Sequence, residues 1–239
     1  IPVAAVAGLA LVVPVAILVS WLVATGPTAN QSLAFEWSYA LNSVTVSTAA
    51  AAVAVVAGIP VAYLSARHGG RLPDAFERIS YIGYAVPGVV LGLALVFFGS
   101  AYATPIYQTL YLLVFAYVIR FLPQSVGSLR ASFLSVDPSL PEAARTLGQT
   151  SAGAFRYVTL PLVAPGLFGG AALVFLTTMK ELPATLLLRP SGFTTLVTHI
   201  WTAYESGYFG QAAIPALVLL FVSGLSMLVI LRQEGYDVK

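Results

Sequence analysis

Residues 138–166 read PSLPEAARTLGQTSAGAFRYVTLPLVAPG, a charged segment set between stretches apolar enough for lipid. Asp137 and Pro138 end the segment before it. Ser139, with Glu142 three residues on, has the S-x-x-E form of a capping box, and Pro141 is tolerated in a first helical turn. Ala143, Ala144, Arg145, Thr146 and Leu147 extend that helix by little more than a turn. Gly148 then supplies a residue able to take positive φ, which stops the helix and turns the chain. Ser151 is placed to cap a second short helix through Phe155 and Val158, which Pro161 closes. The spacing predicts a helix, a sharp bend and a second helix over about residues 137–161. Small Ala143 and Ala144 beside a carboxylate let another backbone approach closely, and exposed Phe155 and Tyr157 complete a docking face.

The flanking chain says where this unit sits. Of 239 residues, 59% are hydrophobic and 8% charged, with a mean hydropathy of +0.90; an ordinary soluble domain carries about 25% charged residues. The composition is that of an integral membrane protein. A net charge of +2 with no Lys/Arg run gives nucleic acid nothing to bind. The absence of cysteine excludes disulfides, thiolate metal sites and a cysteine nucleophile. The chain enters an apolar run at Ile1 with no basic stretch ahead of it and no clear cleavage site, which fits a fragment or the second half of a longer chain better than a signal peptide.

A helix crossing the hydrocarbon needs about 20 mostly apolar residues. Nothing from Ile1 to Phe35 is charged, the greasy part ending near Thr25, and a second charge-free run reaches Ala66 from about Leu41. Ile79 to Ile119 is too long for one helix at 41 residues, and GSAYATPIYQT divides it into two spans. Val163–Met179 and Ala212–Leu231 supply the rest. The expected fold is all-α and polytopic, with about six transmembrane helices. If the first span runs outward, Arg67, Arg71, Arg78, Arg120, Arg130, Arg145, Arg156, Arg232 and Lys239 lie inside, against only Lys180 and Arg189 outside. By the positive-inside rule both chain ends and the quoted loop are then cytoplasmic. The outer connections, GPTANQSLAFEWS and 183–209, are rich in the aromatic residues of a lipid–water boundary.

The pattern Glu-Ala-Ala, three residues, Gly, nine residues, Ile, any residue, Leu-Pro resembles the signature of permease subunits of binding-protein-dependent ATP-binding cassette importers. Here it stands as Glu142, Ala143, Ala144, Gly148, Val158, Leu160 and Pro161, with only an Ile-to-Val change. The resemblance covers the whole chain and implies one transmembrane permease domain over residues 1–239 of a bacterial plasma membrane. It implies that 139–158 forms coupling helices, Arg145 and Phe155 among them, seated on an ATP-hydrolysing subunit. The partners it implies are two such ATPase subunits holding ATP-Mg, a second permease half or copy, and an extracytoplasmic solute-binding protein. KELPATLLLRPSGFTTLVTHIW, residues 180–201, is similar to the ferric iron-type permeases, which are commonly two fused halves. Relatives with similar segments carry thiamine, polyamines or phosphonates.

With only two lysines, Lys180 and Lys239, the chain has no Gly-Lys-Ser/Thr P-loop, so this chain itself is expected to bind no cofactor and to carry no catalytic site. An intramembrane enzyme would need a nucleophile with a base, or metal ligands, inside the helices. The two histidines, His68 and His199, fall in an inner loop and an outer segment with no H-E-x-x-H, and no metal site is expected. A passive channel remains the other alternative, but has no use for a docking loop. Lys180 and Glu181, about 26 Å of helix beyond Val163, fall near the outer boundary, as an ion pair, snorkelling charges or a gate. Arg120 is read as snorkelling at the inner end of the fourth span. Pro87 and Gly88 in YAVPGVVLGLAL suit close packing or a moving gate. His199, Tyr204, Glu205 and Tyr208 carry donors that ferric iron accepts and are equally the content of an aromatic interfacial segment.

Overall fold

The computed structural model describes residues 2–25, 35–68 and 70–234. The expectations for Ile1, for positions 26–34 of the first outer connection and for Lys239 lie outside these, as does the side chain of Arg232. The described residues form helices α1 (Pro2–Thr25), α2 (Trp37–Arg67), α3 (Arg71–Ala85), α4 (Gly88–Tyr102), α5 (Leu110–Ser135), α6 (Ser139–Thr146), α7 (Ser151–Ala154), α8 (Leu160–Leu162), α9 (Ala164–Met179), α10 (Pro183–Leu188), α11 (Leu196–Glu205) and α12 (Phe209–Glu234). No strand occurs among them.

The helices α2, α5 and α12 are each long and apolar enough to cross a membrane. Two further helix pairs are long and apolar enough when taken together but are bent, α3 with α4 at 100° and the α7–α8 segment with α9 at 65°, and α1 adds a shorter apolar stretch, Gly8–Ala24. These account for the expected multi-pass bundle. The break at Val86–Pro87 was not expected: the third span is not a straight helix from Ile79. Its cause is local, since Pro87 has no N–H to continue α3 and disfavours helical φ/ψ at Val86, which sits at φ −78°, ψ 128°. The turn after α4, with a short 3₁₀ segment Thr104–Ile106, lies where GSAYATPIYQT placed it.

At the centre, α2, α5 and α9 pack on one another. Hydrophobic burial drives nothing between helices already in lipid, so close van der Waals contact must hold them. The buried face of α2 is accordingly a ladder of small side chains, Ser43, Ser47, Ala50, Ala51, Ala54, Gly58 and Ala62. Into it fit Leu112, Leu113, Ala116, Tyr117 and Phe121 of α5 and Val174 of α9. A second cluster, Ala62, Val126, Leu129, Phe133, Val136 and Val163, lies nearer the quoted loop. Around this core α4 packs on α10, while α12 lies against α1 and α11. The span α5 runs to Ser135, so Arg120 is not at its end; ten residues from Leu110, it lies about 15 Å along the helix.

Candidate coupling site and a charged cluster inside the bundle

The quoted loop folds as two short helices about a bend, but with different caps from those expected. Ser139 is already helical, and it is Asp137 Oδ1 that accepts the Ser139 amide at 2.9 Å. Both residues can cap; Pro138, at φ −57°, ψ −26°, already has helical geometry, which moves the capping side chain two residues upstream. That hydrogen bond, aided by the Arg67 guanidinium, holds the Asp137 carboxyl below its ordinary range. Arg67 at the end of α2 also donates to Val136 O at 2.9 Å, fastening α2 to the α5–α6 junction. Gly148 takes φ +94°, as expected. Its amide donates to Arg145 O at 3.1 Å and that of Gln149 to Ala144 O at 3.0 Å, the paired bonds of a Schellman ending. Thr150, not Ser151, caps the second helix, accepting the Gly153 amide at 3.0 Å.

Pro161 does not close that helix. From Ser151 the chain stays helical through Leu162, with a π-helical turn at Phe155–Thr159 where Leu160 N donates to Phe155 O. Pro161 brings no N–H for the carbonyl four residues before it and its ring crowds that carbonyl, so the turn widens by one residue. Val163 then bends the path by 65° into α9. Its amide donates to Thr159 O at 3.0 Å and its carbonyl accepts from Leu167 at 3.1 Å, so hydrogen bonding runs on across the bend.

The structure sorts the candidate coupling residues into two groups. Glu142, Ala143, Arg145 and Gly148 are exposed and Ala144 is half-buried, all on α6 or its bend. Phe155, expected to be exposed, is half-buried, its ring meeting Tyr63 edge-on at 5.6 Å, and Tyr63 in turn meets Phe133 at 5.4 Å. It anchors the loop to the bundle. Val158 and Leu160 are half-buried and Pro161 is exposed. Tyr157 keeps its outward position at 67% exposure. Leu147 was missed: at 87% it is the most exposed large hydrophobic among the described residues, a bare apolar knob beside the bend. A cleft of about 420 Å³ separates this unit from the end of α2, lined by Tyr63, Arg67, His68, Glu142, Arg145 and Phe155 among others.

The candidate gate residues fall elsewhere than expected. Lys180 is exposed at the end of α9, but Glu181 is buried and pairs with Arg120, Nε to Oε2 at 3.4 Å, rather than with its neighbour. Arg120 therefore does not snorkel, and Glu181 lies level with the middle of α5. Arg120 Nη1 also donates to Val86 O at 3.1 Å, while Glu181 Oε1 accepts the Ala184 amide at 3.3 Å. A Cβ on Gly88 would stand 2.8 Å from both Arg120 Nη1 and Glu181 Oε1, so a side chain at the start of α4 would have to displace one of the two. Gly88 thus stands with Glu181 beside one guanidinium, next to Pro87 whose preceding carbonyl that guanidinium holds, whereas Lys180 is exposed. His199 does not gather with Tyr204, Glu205 and Tyr208, which are exposed; it is buried and stacks on Tyr39 at 4.7 Å. Among the described residues no three His, Cys, Asp or Glu side chains converge as a metal site.

Comparisons with known proteins bear on the whole chain. It is 34% identical over 214 residues to the Fe(3+)-transport system permease protein FbpB 2 of Haemophilus influenzae, covering 89% of this chain and 42% of that protein. The chain thus spans less than half the length of that relative. It is 28% identical over 193 residues to the molybdate/tungstate transport system permease protein WtpB of Pyrococcus abyssi, covering 80% and 75%. Its fold is similar to a chain of the inward-facing MetNI methionine ABC transporter, with TM-score 0.63, 20% identity and 81% and 92% of the two chains covered. It is likewise similar to a chain of a bacterial alginate ABC transporter in complex with a pentasaccharide-bound periplasmic protein, with TM-score 0.67, 14% identity and 92% and 86% covered. Residues 58–234 match the family model described as binding-protein-dependent transport system inner membrane component, and the chain belongs to that family, the permeases of ATP-binding cassette importers.

Proposed function

We propose that this chain carries ferric iron across a bacterial plasma membrane by alternating access, with the work supplied by two separate ATPase subunits that hold ATP-Mg. The observation that carries the coupling part is the exposed α6 with its Gly148 bend, followed by a second helix from Ser151 whose hydrogen bonding runs across Val163 into α9. ATP-driven closure of the ATPase subunits moves the docked loop, and α9 and α5 move with it. The chain pairs with a second copy or a homologous half around a central pathway, both its ends lie in the cytoplasm, and a solute-binding protein delivers the cargo from outside. Glu142, Ala143, Ala144, Arg145 and Gly148 make the docking face, while Phe155, Val158, Leu160 and Pro161 hold it to the bundle. Pro87, Gly88, Lys180 and Glu181 stand at breaks in membrane helices, where transporters place their pathways and gates. Solute binding shifts the equilibrium only through unequal affinity for the two states.

Ferric iron as the solute rests on the likeness to the Haemophilus protein and on the 180–201 segment. The likeness to a molybdate/tungstate permease keeps oxyanions as the second reading. Uptake of radiolabelled ferric citrate, molybdate, thiamine and a polyamine into vesicles bearing the full transporter decides between them. Saturable, ATP-dependent iron uptake is the expected result, and uptake of another solute without iron would replace it.

A further inference from the structure

We infer that Arg120 is the positioning residue that fastens the α3–α4 elbow to the helices bearing the coupling loop, so that α4 moves when they do. The inference deepens the proposed importer mechanism and rests on it. Charged side chains inside a membrane protein are costly and are retained where they do work. Arg120 sits about 15 Å along α5, flanked by apolar Ile119 and Phe121. Its guanidinium lies over the ring of Phe121 at 5.6 Å, and its polar partners sit at breaks in other helices. Val86 O is left over where Pro87 ends α3; Glu181 follows the end of α9 and reaches on to the first turn of α10 through Ala184 N.

The remaining connections explain the direction of the linkage. Helix α5 leads into α6, and α9 follows directly from α8, so the loop hangs from these two. They are tied to each other by Thr177 Oγ1 donating to Gln124 Oε1 at 2.6 Å and by Ser128 Oγ donating to Gly166 O at 3.0 Å. Helix α3 is tied to the same body by the Arg130–Glu77 pair at 3.3 Å. Helix α4 packs mainly on α10, and α10 is held to α5 by Tyr117 OH and Thr185 Oγ1 at 2.6 Å. Between α3 and α4 only Val86 and Pro87 intervene, across a 100° change of direction. The guanidinium, gripping Val86 O on one side and Glu181 on the other against a bare Gly88, is what sets the position of the start of α4. Removing the charge of Glu181 releases the elbow while leaving the loop, its bend and its docking face untouched.

The test uses the full transporter in proteoliposomes. The chain has no cysteine of its own, so Val89→Cys on α4, at a residue 50% exposed, gives it one labelling site. In the otherwise unaltered chain, labelling differs about fivefold or more between the nucleotide-free and ATP–vanadate states. With Glu181→Gln, and separately with Arg120→Lys, that difference collapses while vanadate trapping by the ATPase subunits persists. The reversed pair Arg120→Glu with Glu181→Arg restores part of it. A Glu181→Gln protein that keeps the full labelling difference overturns the inference alone, as does loss of vanadate trapping together with labelling, which marks a merely structural pair. Absence of any nucleotide response in the unaltered chain overturns the importer mechanism and this inference with it.

Discussion

Replacing Gly148 by valine tests the bend as a piece of backbone geometry. At φ +94° the residue lies where an L side chain is penalised, and a Cβ there meets nothing within 4 Å. The penalty is therefore conformational, about 1–2 kcal/mol, and greatest for a β-branched side chain. The Schellman bonds from Gly148 and Gln149 resist any relaxation, since losing either gives up about 1 kcal/mol more. A penalty of 1–2 kcal/mol shifts the population holding the docking geometry by roughly 5–30-fold. Binding of the purified permease in nanodiscs to its ATPase subunit, followed with ATP-driven uptake, should weaken by that factor for Gly148→Val. Gly148→Asn, which tolerates the left-handed region, should stay near the parent. Unimpaired binding and uptake with valine, or equal damage from valine and asparagine, would refute the reasoning.

Three further outcomes follow from the same contacts. Glu142→Lys reverses the one acidic charge on the exposed face of α6 and should abolish ATPase binding without unfolding the bundle, as a pull-down beside a thermal melt will show. Gly88→Ala drives a methyl into Arg120 and Glu181 and should lower uptake more than ATP hydrolysis, with a fall in melting temperature if the pair is displaced. Burial pushes the His199 imidazole below its ordinary value, Glu36 pulling weakly the other way, and the ring stacks on Tyr39 with no hydrogen-bond partner for Nε2. The folded state thus resists a proton that the unfolded chain accepts near pH 6.5, so stability contributed here falls as pH drops below about 6.5. Protease cleavage within Thr195–Glu205 should rise on acidification, and His199→Gln should flatten the response.

Much of this architecture is legible from where charge is missing. Long uncharged runs give α2 and α12 directly but only the first part of α5, and Gly148 announces its bend because no other residue takes that φ as cheaply. The helix starts are less legible: Asp137 and Ser139, or Thr150 and Ser151, are chemically equivalent caps, and the choice between them depends on the direction in which the chain leaves the preceding element. The charged cluster was misread for a more basic reason. A rule that treats each Arg as the edge of a span must end the fourth span at Arg120, and no local pattern tells that its carboxylate partner waits 61 residues away. Phe155 was misplaced because the wide turn shifts its facing, and that turn arises from Pro161 acting back on residues before it.

That wide turn has an angular consequence. An ordinary helix advances about 100° with each residue, so one surplus residue between the loop and α9 sets their relative azimuth differently by that amount. A chain with a helix-forming residue in place of Pro161 can absorb the extra residue, and the face bearing Glu142 would then swing about a quarter-turn or more around the bundle axis. The proline serves as an indexing pin: it selects which way the bent loop points relative to the membrane helices that follow it.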